Sequence, residues 1–387
     1  MQTRILVVDD EPDLEHLIRQ KFRKEIRSNE LNFEFAQNGQ EAIDKLKKDG
    51  KIDLVLTDIN MPVMDGLTLL TRLADLNLLL KSVIVSAYGD MENIRTAMNR
   101  GAFDFVTKPI NLQDLETTIK KALNELHTLK EALESQNQLM SIQRELDVAR
   151  NIQQSIVPGT FPPFPDRSEF EIYGSMNAAK EVGGDFFDFF FIDDDRLGFV
   201  IGDVSGKGVP AALFMAVSRT LLKATALEGF PPGECMNRVN GLLYSESVAT
   251  MFVTIFYGIL NIQNGEMQYC NGGHNPPYII RNDGNVKSLE LTGGLVVGAL
   301  PKFEYSDKKI QLHPGDGIFM YTDGVTEARD IKLDDFEEKR LEECLRQCFA
   351  LPIDEITIKV VEAVKAFSSD APQTDDITCL MLRYLGE

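Results

Sequence analysis

The stretch Leu197-Gly-Phe-Val-Ile-Gly-Asp203 is an apolar run with the character of a buried strand, and it ends in an aspartate. Three other segments in the second half of the chain also place aspartates next to apolar runs. They are Gly183-Gly-Asp185, Thr322-Asp323-Gly324 and Asp375-Asp376-Ile-Thr378. A single segment of this kind is often only an Asp-Gly surface turn. Four of them, each tied to a strand-like run, predict carboxylates that converge on one edge of a fold.

Carboxylates in one place repel one another unless a cation lies among them. Ligand sets made only of oxygen select Mg²⁺ or Mn²⁺ over zinc or copper. Two such ions a few ångströms apart can activate a water for attack on phosphorus and neutralise the phosphoryl oxygens. The four segments therefore predict a metal site suited to phosphate chemistry.

Five motifs follow one another in this half of the chain. They are Gly183-Gly-Asp-Phe-Phe-Asp188, Gly202-Asp-Val-Ser-Gly-Lys-Gly-Val-Pro-Ala-Ala212, Gly272-Gly-His-Asn-Pro-Pro277, Tyr321-Thr-Asp-Gly-Val-Thr-Glu-Ala328 and Asp375-Asp-Ile-Thr378. In their order and spacing, residues 168–387 resemble the metal-dependent serine/threonine phosphatases of the PPM (protein phosphatase 2C-like) class, in its bacterial SpoIIE/RsbU branch. The resemblance implies an α+β fold, a four-layer α-β-β-α sandwich. The alternation of the strand-like runs agrees with two antiparallel sheets, with helices over 210–226 and 233–247 and a strand over 250–260.

The same resemblance implies two Mn²⁺ or Mg²⁺ ions and a ligand for each position. Asp203 would be the catalytic carboxylate that bridges the two ions, with the main-chain carbonyl of Val204 as its neighbour. Asp185 would hold the second ion, whereas Asp323 and Asp375 would complete the first.

Four further residues of these motifs are assigned roles, two of them with an alternative. Asp376 occupies a position that relatives fill with Asn or Asp, so it ranks below Asp375 as a metal ligand. Val204 stands where relatives often carry glycine, but a main-chain ligand does not depend on the side chain. Asp188 is expected behind the ligands, with direct or water-mediated metal contact as the alternative. Lys207 is expected to be a solvated loop lysine, with phosphate contact as the alternative.

The first 122 residues alternate strand-like and helical segments in five repeats. The strand-like segments cover residues 4–8, 33–36, 53–57, 82–86 and 104–107. This alternation predicts an α/β fold, a doubly wound five-stranded parallel sheet with its active site at the carboxyl ends of the strands.

Acidic residues and a lysine stand at those strand ends. Asp9 and Asp10 follow the first strand, Asp58 follows the third, Ser86 ends the fourth and Lys108 ends the fifth. A carboxylate in such a place can accept a phosphoryl group as a nucleophile, and a metal and a lysine can neutralise the transferred charge.

Over nearly its full length this region resembles the response-regulator receiver domain. The resemblance implies that Asp58 is the phosphorylated residue. It also implies an Mg²⁺ ion held by Asp9, Asp10, Asp58 and the backbone carbonyl of Asn60. Ser86 and Phe105 take the positions that sense the phosphoryl group in this family, and a histidine kinase or phosphotransfer protein is implied as partner.

A long helix is predicted between these regions, because residues 112–156 contain neither proline nor glycine. Its apolar residues recur at steps of three and four, with a phase break near Gln136. Such a seam predicts a two-stranded coiled coil and a homodimer through residues 112–156. A helix packed on its own domain is the alternative. The predicted domains are a receiver over 1–122, a coiled-coil linker helix and proline-rich connector over 123–165, and a phosphatase over 166–387.

The composition excludes several classes of function. The formal charge of −20 disfavours nucleic acid and anionic membranes as partners, because both require a basic surface. No apolar run approaches the roughly 18 residues of a membrane span, and residues 1–4 lead into a strand rather than a signal peptide. We therefore expect a cytoplasmic protein. Its five cysteines include no Cys-x-x-Cys pair, so a reduced structural role is expected.

These features together predict a metal-dependent protein serine/threonine phosphatase that is controlled by phosphorylation of Asp58. By resemblance, its substrate is a phosphorylated anti-sigma-factor antagonist or a similar STAS-type protein. The alternative is a non-catalytic regulator that sequesters such a protein. A complete set of aspartates favours the enzyme. A DNA-binding regulator is disfavoured, because the second half has no basic helix.

Overall fold

The computed structural model describes residues 2–87, 90–246 and 251–386. The chain divides into two compact units, Met1–Ser141 and Ile142–Glu387. The predicted helix over 233–247 and the predicted strand over 250–260 each include one residue, Ser247 and Thr250, that lies outside the described residues.

The first unit contains a parallel sheet of five strands in the order β2-β1-β3-β4-β5. The strands are β1 (Thr3–Val8), β2 (Leu31–Ala36), β3 (Leu54–Asp58), β4 (Lys81–Ala87) and β5 (Asp104–Lys108). The helices are α1 (Pro12–Lys21), α2 (Arg23–Arg27), α3 (Gly39–Lys48), α4 (Gly66–Asp75), α5 (Met91–Asn99) and α6 (Leu112–Ile156), the last of which continues into the second unit. The predicted parallel α/β fold is confirmed.

Alternate residues of β1 enter two separate hydrophobic clusters. Leu6 and Val8 pack with residues of α3, α4 and α5, whereas Ile5 and Val7 pack with residues of α1 and α6. Because successive side chains of a strand point to opposite faces, helices cover both faces of the sheet.

The second unit contains two antiparallel sheets of five strands each, with the orders β13-β10-β9-β8-β7 and β12-β11-β14-β15-β6. The strands are β6 (Phe170–Asn177), β7 (Phe186–Phe191), β8 (Arg196–Val204), β9 (Val253–Asn261), β10 (Glu266–Gly272), β11 (Tyr278–Ile280), β12 (Val286–Ser288), β13 (Lys308–Gln311), β14 (Gly317–Tyr321) and β15 (Ile377–Tyr384). The helices are α7 (Val209–Ala226), α8 (Pro232–Glu246), α9 (Asp323–Thr326), α10 (Glu337–Cys348) and α11 (Ile353–Ser368). The predicted pair of antiparallel sheets is confirmed.

The two faces of β14 also enter different clusters. Ile318 and Met320 pack with residues of α7, α8 and the first sheet. Phe319 and Tyr321 pack with residues of α10 and α11. This burial on both faces explains why β14 reads as a continuous apolar run in the sequence.

Helix α6 is continuous over the predicted range, but its apolar residues have two different environments. Leu115, Ile119 and Ala122 are buried in the receiver core. Farther along, Leu139 and Ile142 are more than half exposed. The beginning of the helix is therefore packed on its own domain. No helix of the described residues is both long and apolar enough to span a membrane.

Gly66, at the start of α4, allows the chain to pass close to the end of β3. A methyl group added at Gly66 would lie 2.1 Å from the carbonyl oxygen of Asp58. Substitution Gly66→Ala should therefore lower the free energy of unfolding of the receiver by about 1–3 kcal/mol or more, as overpacking does. Urea denaturation followed by circular dichroism measures the loss.

The matched control is Gly50→Ala, because the nearest atom to a methyl group there is a side-chain carbon of Leu78 at 3.6 Å. This variant should differ from the parent by less than about 1 kcal/mol. Equal stability of the two variants would contradict the close approach at Gly66.

Candidate metal centres

The receiver brings its acidic residues together at the carboxyl ends of two neighbouring strands. Asp9 and Asp10 follow β1, and Asp58 ends β3, which pairs with β1. One carboxylate oxygen from each of the three lies within 4.8 Å of the others. Asp10 is exposed, whereas the other two are buried. Oxygen ligands at this separation suit a small divalent cation such as Mg²⁺.

Lys108 provides a positive charge inside this cluster. Its Nζ lies 2.6 Å from Oδ2 of Asp58 and 3.1 Å from Oδ2 of Asp9. Burial lowers the pKa of Lys108, but the hydrogen bonds to Asp58 and Asp9 outweigh it and the net pKa is raised. Burial raises the pKa of Asp9. The hydrogen bonds from the backbone amide of Glu11 and from the Lys108 side chain lower it, but the net pKa is raised. The cluster is short of positive charge, as expected of a cation site.

Asn60 contacts the same carboxylate, and Ser86 follows Val85, which pairs with Asp58 in the sheet. The Ser86 hydroxyl is buried and has no hydrogen-bond partner among the described residues. The backbone amides of Ile59 and Asn60 donate to Oδ1 of Asp58 at 2.6 and 3.4 Å. Phe105 is half-buried on β5, beside β4. A buried hydroxyl without a partner is destabilising, so Ser86 fits a role as donor to a group bound at Asp58.

In the second unit, the predicted ligands come from four separate places in the fold. Asp185 immediately precedes β7, Asp203 lies near the end of β8, Asp323 begins α9, and Asp375 lies just before β15. Asp185 is buried, and the other three are partly exposed. Their mutual electrostatic effects show that the structure brings them together.

Burial and mutual repulsion raise the pKa values of three of these carboxylates. Burial, followed by the charges of Asp203 and Asp376, raises the pKa of Asp185 well above its usual range. Burial and the charge of Asp323 raise the pKa of Asp203 to about 7. Burial and the charge of Asp375 raise the pKa of Asp323 to about 6. Burial and the neighbouring charges thus disfavour the charged form of these three carboxylates, and divalent cations would offset that cost.

Asp376 holds the loop that carries Asp185. Its two carboxylate oxygens accept the backbone amides of Ala179, at 2.8 Å, and Gly184, at 2.9 Å. A methyl group at Gly183 would lie 1.9 Å from Oδ2 of Asp376, so only glycine fits there. The geometry gives Asp376 a role in positioning Asp185, and this close approach requires glycine at position 183.

Two residues that the sequence reasoning missed also position the ligands. The Thr322 hydroxyl donates to Oδ2 of Asp185 at 2.7 Å. His274 Nε2 donates to the carbonyl of Tyr321 at 3.0 Å, so Nδ1 accepts from the hydroxyl of Thr254 at 2.8 Å. Burial lowers the pKa of His274 to about 4, against the hydrogen bond to Tyr321. His274 is therefore a neutral link between β9 and the end of β14, where Asp323 follows.

Asp188 and Lys207 both have partners within the protein. Asp188 is buried, and its Oδ2 lies 2.8 Å from Arg219 and 3.2 Å from Lys223, both on α7. These two cations account for the Asp188 carboxylate without a metal. Lys207 Nζ lies 2.8 Å from Oδ2 of Asp375, so this lysine is at the edge of the carboxylate cluster.

Residues near the end of α6 bind the loop that precedes Asp185. The side chain of Gln153 is buried, and its amide donates to the carbonyl of Gly183 at 2.8 Å. Its Oε1 accepts the backbone amide of Gly183 at 3.1 Å. Arg150 donates to the carbonyl of Glu181 at 3.0 Å. Two residues of the linker helix thus fix the loop that precedes Asp185.

Comparisons with known proteins match both parts of the chain to families. Residues 5–120 match the response regulator receiver domain family, and residues 193–385 match the stage II sporulation protein E (SpoIIE) family. Together they define a protein with a receiver domain followed by a SpoIIE-type domain. The chain belongs to the response regulators that combine a receiver domain with a SpoIIE-family, protein phosphatase 2C-like domain.

Two relatives cover similar parts of the chain. The protein IcfG of Synechocystis sp. (strain ATCC 27184 / PCC 6803 / Kazusa) is 33% identical over 263 residues, which are 61% of this chain and 41% of IcfG. The phosphoserine phosphatase RsbU of Bacillus subtilis (strain 168) is 28% identical over 243 residues, which are 62% of this chain and 70% of RsbU. This chain thus spans less than half of IcfG.

A solved structure supports the fold of the second unit. The SiaA-PP2C domain of Pseudomonas aeruginosa superposes with a TM-score of 0.56 at 22% sequence identity. The match covers 64% of this chain and 98% of that domain.

The raised pKa values predict a pH-dependent metal affinity. A cation binds the carboxylate form, so it competes with protons at Asp203 and Asp323, whose pKa values are about 7 and about 6. We expect the affinity for Mn²⁺ to be nearly constant above pH 8 and to fall below pH 7 by up to about tenfold per pH unit for each proton displaced. Isothermal titration calorimetry from pH 5.5 to 8.5 tests this.

Stability should change in the opposite direction in the metal-free protein. The folded-state pKa values of both groups exceed the ordinary value of 3.8, so their protonation stabilises the fold as the pH falls from about 7 towards 4. The calorimetric titration with Mn²⁺ is made on an Asp9→Asn/Asp10→Asn variant, so that binding of the metal to the receiver does not contribute. An affinity that does not vary between pH 5.5 and 8.5 would contradict the raised pKa values.

Proposed function

We propose that this chain is a two-component response regulator whose output is a metal-dependent protein serine/threonine phosphatase, regulated by phosphorylation at Asp58. The convergence of Asp185, Asp203, Asp323 and Asp375 supports the proposal most strongly. These residues are far apart in sequence, and, besides burial, the charges of Asp323 and Asp375 contribute to the raised pKa of Asp203, as that of Asp203 does for Asp185. The match to the SpoIIE family over 193–385 and the similarity to RsbU, itself named a phosphoserine phosphatase, favour the same conclusion.

The aspartates would hold two Mn²⁺ or Mg²⁺ ions, with Asp203 between them and the carbonyl of Val204 beside it. When bound, the two ions activate a water and neutralise the phosphoryl oxygens. The protein's own residues orient this arrangement: Thr322 and Asp376 hold Asp185 and its loop, and His274 holds the strand end before Asp323. We propose the α-β-β-α sandwich as the framework that carries them.

As substrate we propose a phosphorylated anti-sigma-factor antagonist or a similar STAS-type protein, following the resemblance to the SpoIIE/RsbU branch. The alternative is a regulator that binds such a protein without turnover. The phosphatase and the binding regulator differ in whether the bound phosphoprotein is hydrolysed with the help of the metal-ligating carboxylates or is only bound.

Substitution Asp203→Ala tests the phosphatase. It removes the ligand proposed to be shared by both ions, so Mn²⁺-dependent hydrolysis of p-nitrophenyl phosphate and of phosphoserine peptides should fall by at least about a hundredfold. The control is Asp354→Ala, because Asp354 is an exposed aspartate in the first turn of α11. Circular dichroism verifies that both variants are folded. Wild-type activity retained by Asp203→Ala would refute the two-metal assignment, and phosphoprotein binding without turnover by the wild type would favour the alternative.

In the receiver, the Asp58 carboxylate would attack the phosphoryl group of a histidine kinase or phosphotransfer protein. Asp9, Asp10 and the Asn60 carbonyl would hold Mg²⁺ beside it, which neutralises charge on the phosphoryl group. Lys108 is already within 2.6 Å of Asp58 and would bind a phosphoryl oxygen. The hydroxyl of Ser86, which has no partner in the described part of the chain, would donate to another phosphoryl oxygen, and Phe105 would adjust on the neighbouring strand.

We propose that α6 carries the signal and that the chain forms a homodimer through residues 112–156. At the receiver end of α6, Lys130 pairs with Asp53 at 2.6 Å. At its other end, Gln153 holds Gly183. Between them Leu139, Ile142 and Val148 are exposed apolar residues, which a second helix would cover. Rotation of the helix would move the loop that carries Asp185.

An insertion in α6 tests this coupling. Two alanines inserted after Gln136 rotate the parts of the helix by about 200° relative to each other. The activity change that beryllofluoride, a phosphoryl mimic, produces in the wild type should then disappear, while Mn²⁺-dependent turnover persists. Seven inserted residues are the matched control, because they rotate the parts by about 700°, within about 20° of two full turns, and should preserve the response.

Asp58→Asn should remove the beryllofluoride response in every background. Light scattering reports the oligomeric state of each variant. If the two-residue insertion changes neither the dimer nor the response, the helix is a passive tether.

A further inference from the structure

A cavity of about 270 Å³ opens next to the phosphatase carboxylates. Asp375 forms part of its wall, and so does Gly324, the residue after Asp323. The cavity therefore lies directly beside the proposed metal ligands. A protein substrate whose phosphorylated side chain reaches these ligands must place its neighbouring residues on the adjoining surface.

The lining of the cavity combines an apolar floor with cationic groups. Val364 and Ile377 are buried apolar residues of α11 and β15 that form part of it. Arg329, which follows α9, and Lys365, in the last turn of α11, line it as well. Arg329 pairs with Asp335 at 3.0 Å, whereas Lys365 has no carboxylate partner within 4.0 Å among the described residues. A mixed lining of this kind suits a side chain with an aliphatic stem and an anionic end.

Hydrogen bonds near the carboxylate cluster hold one wall of the cavity in place. Gln373 donates to the carbonyls of Asn177 and Asp375 at 2.9 and 2.7 Å. Lys207 donates to the carbonyl of Thr374 at 2.5 Å. Because these bonds tie the wall to Asp375, a ligand in the cavity would be positioned relative to the carboxylate cluster.

We propose that this cavity binds an acidic side chain, glutamate or aspartate, that flanks the phosphorylated residue of the protein substrate, with Lys365 and Arg329 as its cationic partners. The proposal rests on the phosphatase function and adds a sequence preference to it. A protein segment is favoured over a free anion because Arg329 begins a loop on which Ile331 and Leu333 are about three-quarters exposed. Such neighbouring apolar side chains are typical of a surface that contacts another protein.

The test compares phosphoserine peptides that carry Glu, Ala or Lys within three positions on either side of the phosphoserine. In the wild type with Mn²⁺, kcat/KM should be highest for a Glu-flanked peptide. Substitution Lys365→Glu should lower the ratio of kcat/KM for Glu-flanked over Ala-flanked peptides by about tenfold, mainly through KM, and should raise the rate with Lys-flanked peptides. Lys365 is exposed, and charge reversal there replaces an attraction by a repulsion, which gives an effect of this order.

The matched control is Lys359→Glu, an exposed lysine on the same helix that does not line the cavity. It makes the same change in net charge and should leave the ratio unaltered. A ratio that Lys365→Glu leaves unchanged, or that Lys359→Glu lowers equally, would overturn the proposal.

A binding measurement separates this proposal from the phosphatase function. Fluorescence anisotropy of the labelled peptides is measured with Mn²⁺ in an Asp203→Ala background, with and without Lys365→Glu. Preferential binding of Glu-flanked peptides that depends on Lys365 supports the cavity even if the wild type turns over no phosphomonoester. Turnover of p-nitrophenyl phosphate without any peptide preference supports the phosphatase and refutes the cavity.

Discussion

The repulsion between carboxylates gathered at strand ends is the constraint on which both halves of this protein depend. In each half, the fold forces aspartates from distant parts of the sequence into one place, where burial makes their charge unfavourable. The receiver relieves part of this repulsion with Lys108, which lies between Asp9 and Asp58. In the phosphatase half, Lys207 pairs with Asp375, and burial together with neighbouring carboxylates raises the pKa values of Asp185 and Asp203.

Neutral hydrogen bonds hold the repelling groups in position. The hydroxyl of Thr322 and the backbone amides that bind Asp376 keep the Asp185 loop against the cluster. The neutral ring of His274 does the same for the strand before Asp323. Such bonds fix geometry without supplying positive charge, so they are compatible with the proposed binding of cations.

The linker helix is part of this framework. Gln153 makes a pair of hydrogen bonds to Gly183, whose carbonyl and amide have no regular strand partner at that point in the loop. The other end of the helix is buried in the receiver core through Leu115 and Ile119. Between these anchors the apolar seam is exposed. A helix that is anchored at both ends and uncovered in the middle is suited to transmit a rotation.

The sequence by itself determined the broad fold of both units, the boundaries of the long helix and the identity of the clustered aspartates. Those features depend on local patterns: apolar runs of strand length, helical periodicity without proline or glycine, and acidic residues at the ends of strands. Only the tertiary structure decided that Asp376 holds a loop, that Asp188 pairs with Arg219 and Lys223, and that Thr322, His274 and Gln153 position the cluster. Each of these roles is a contact between residues far apart in sequence, and no local pattern specifies which distant group a polar side chain will meet. The same holds for α6, because the spacing of its apolar residues is equally compatible with a partner helix and with its own receiver core. Only the packing of the receiver showed which of these residues belong to that core.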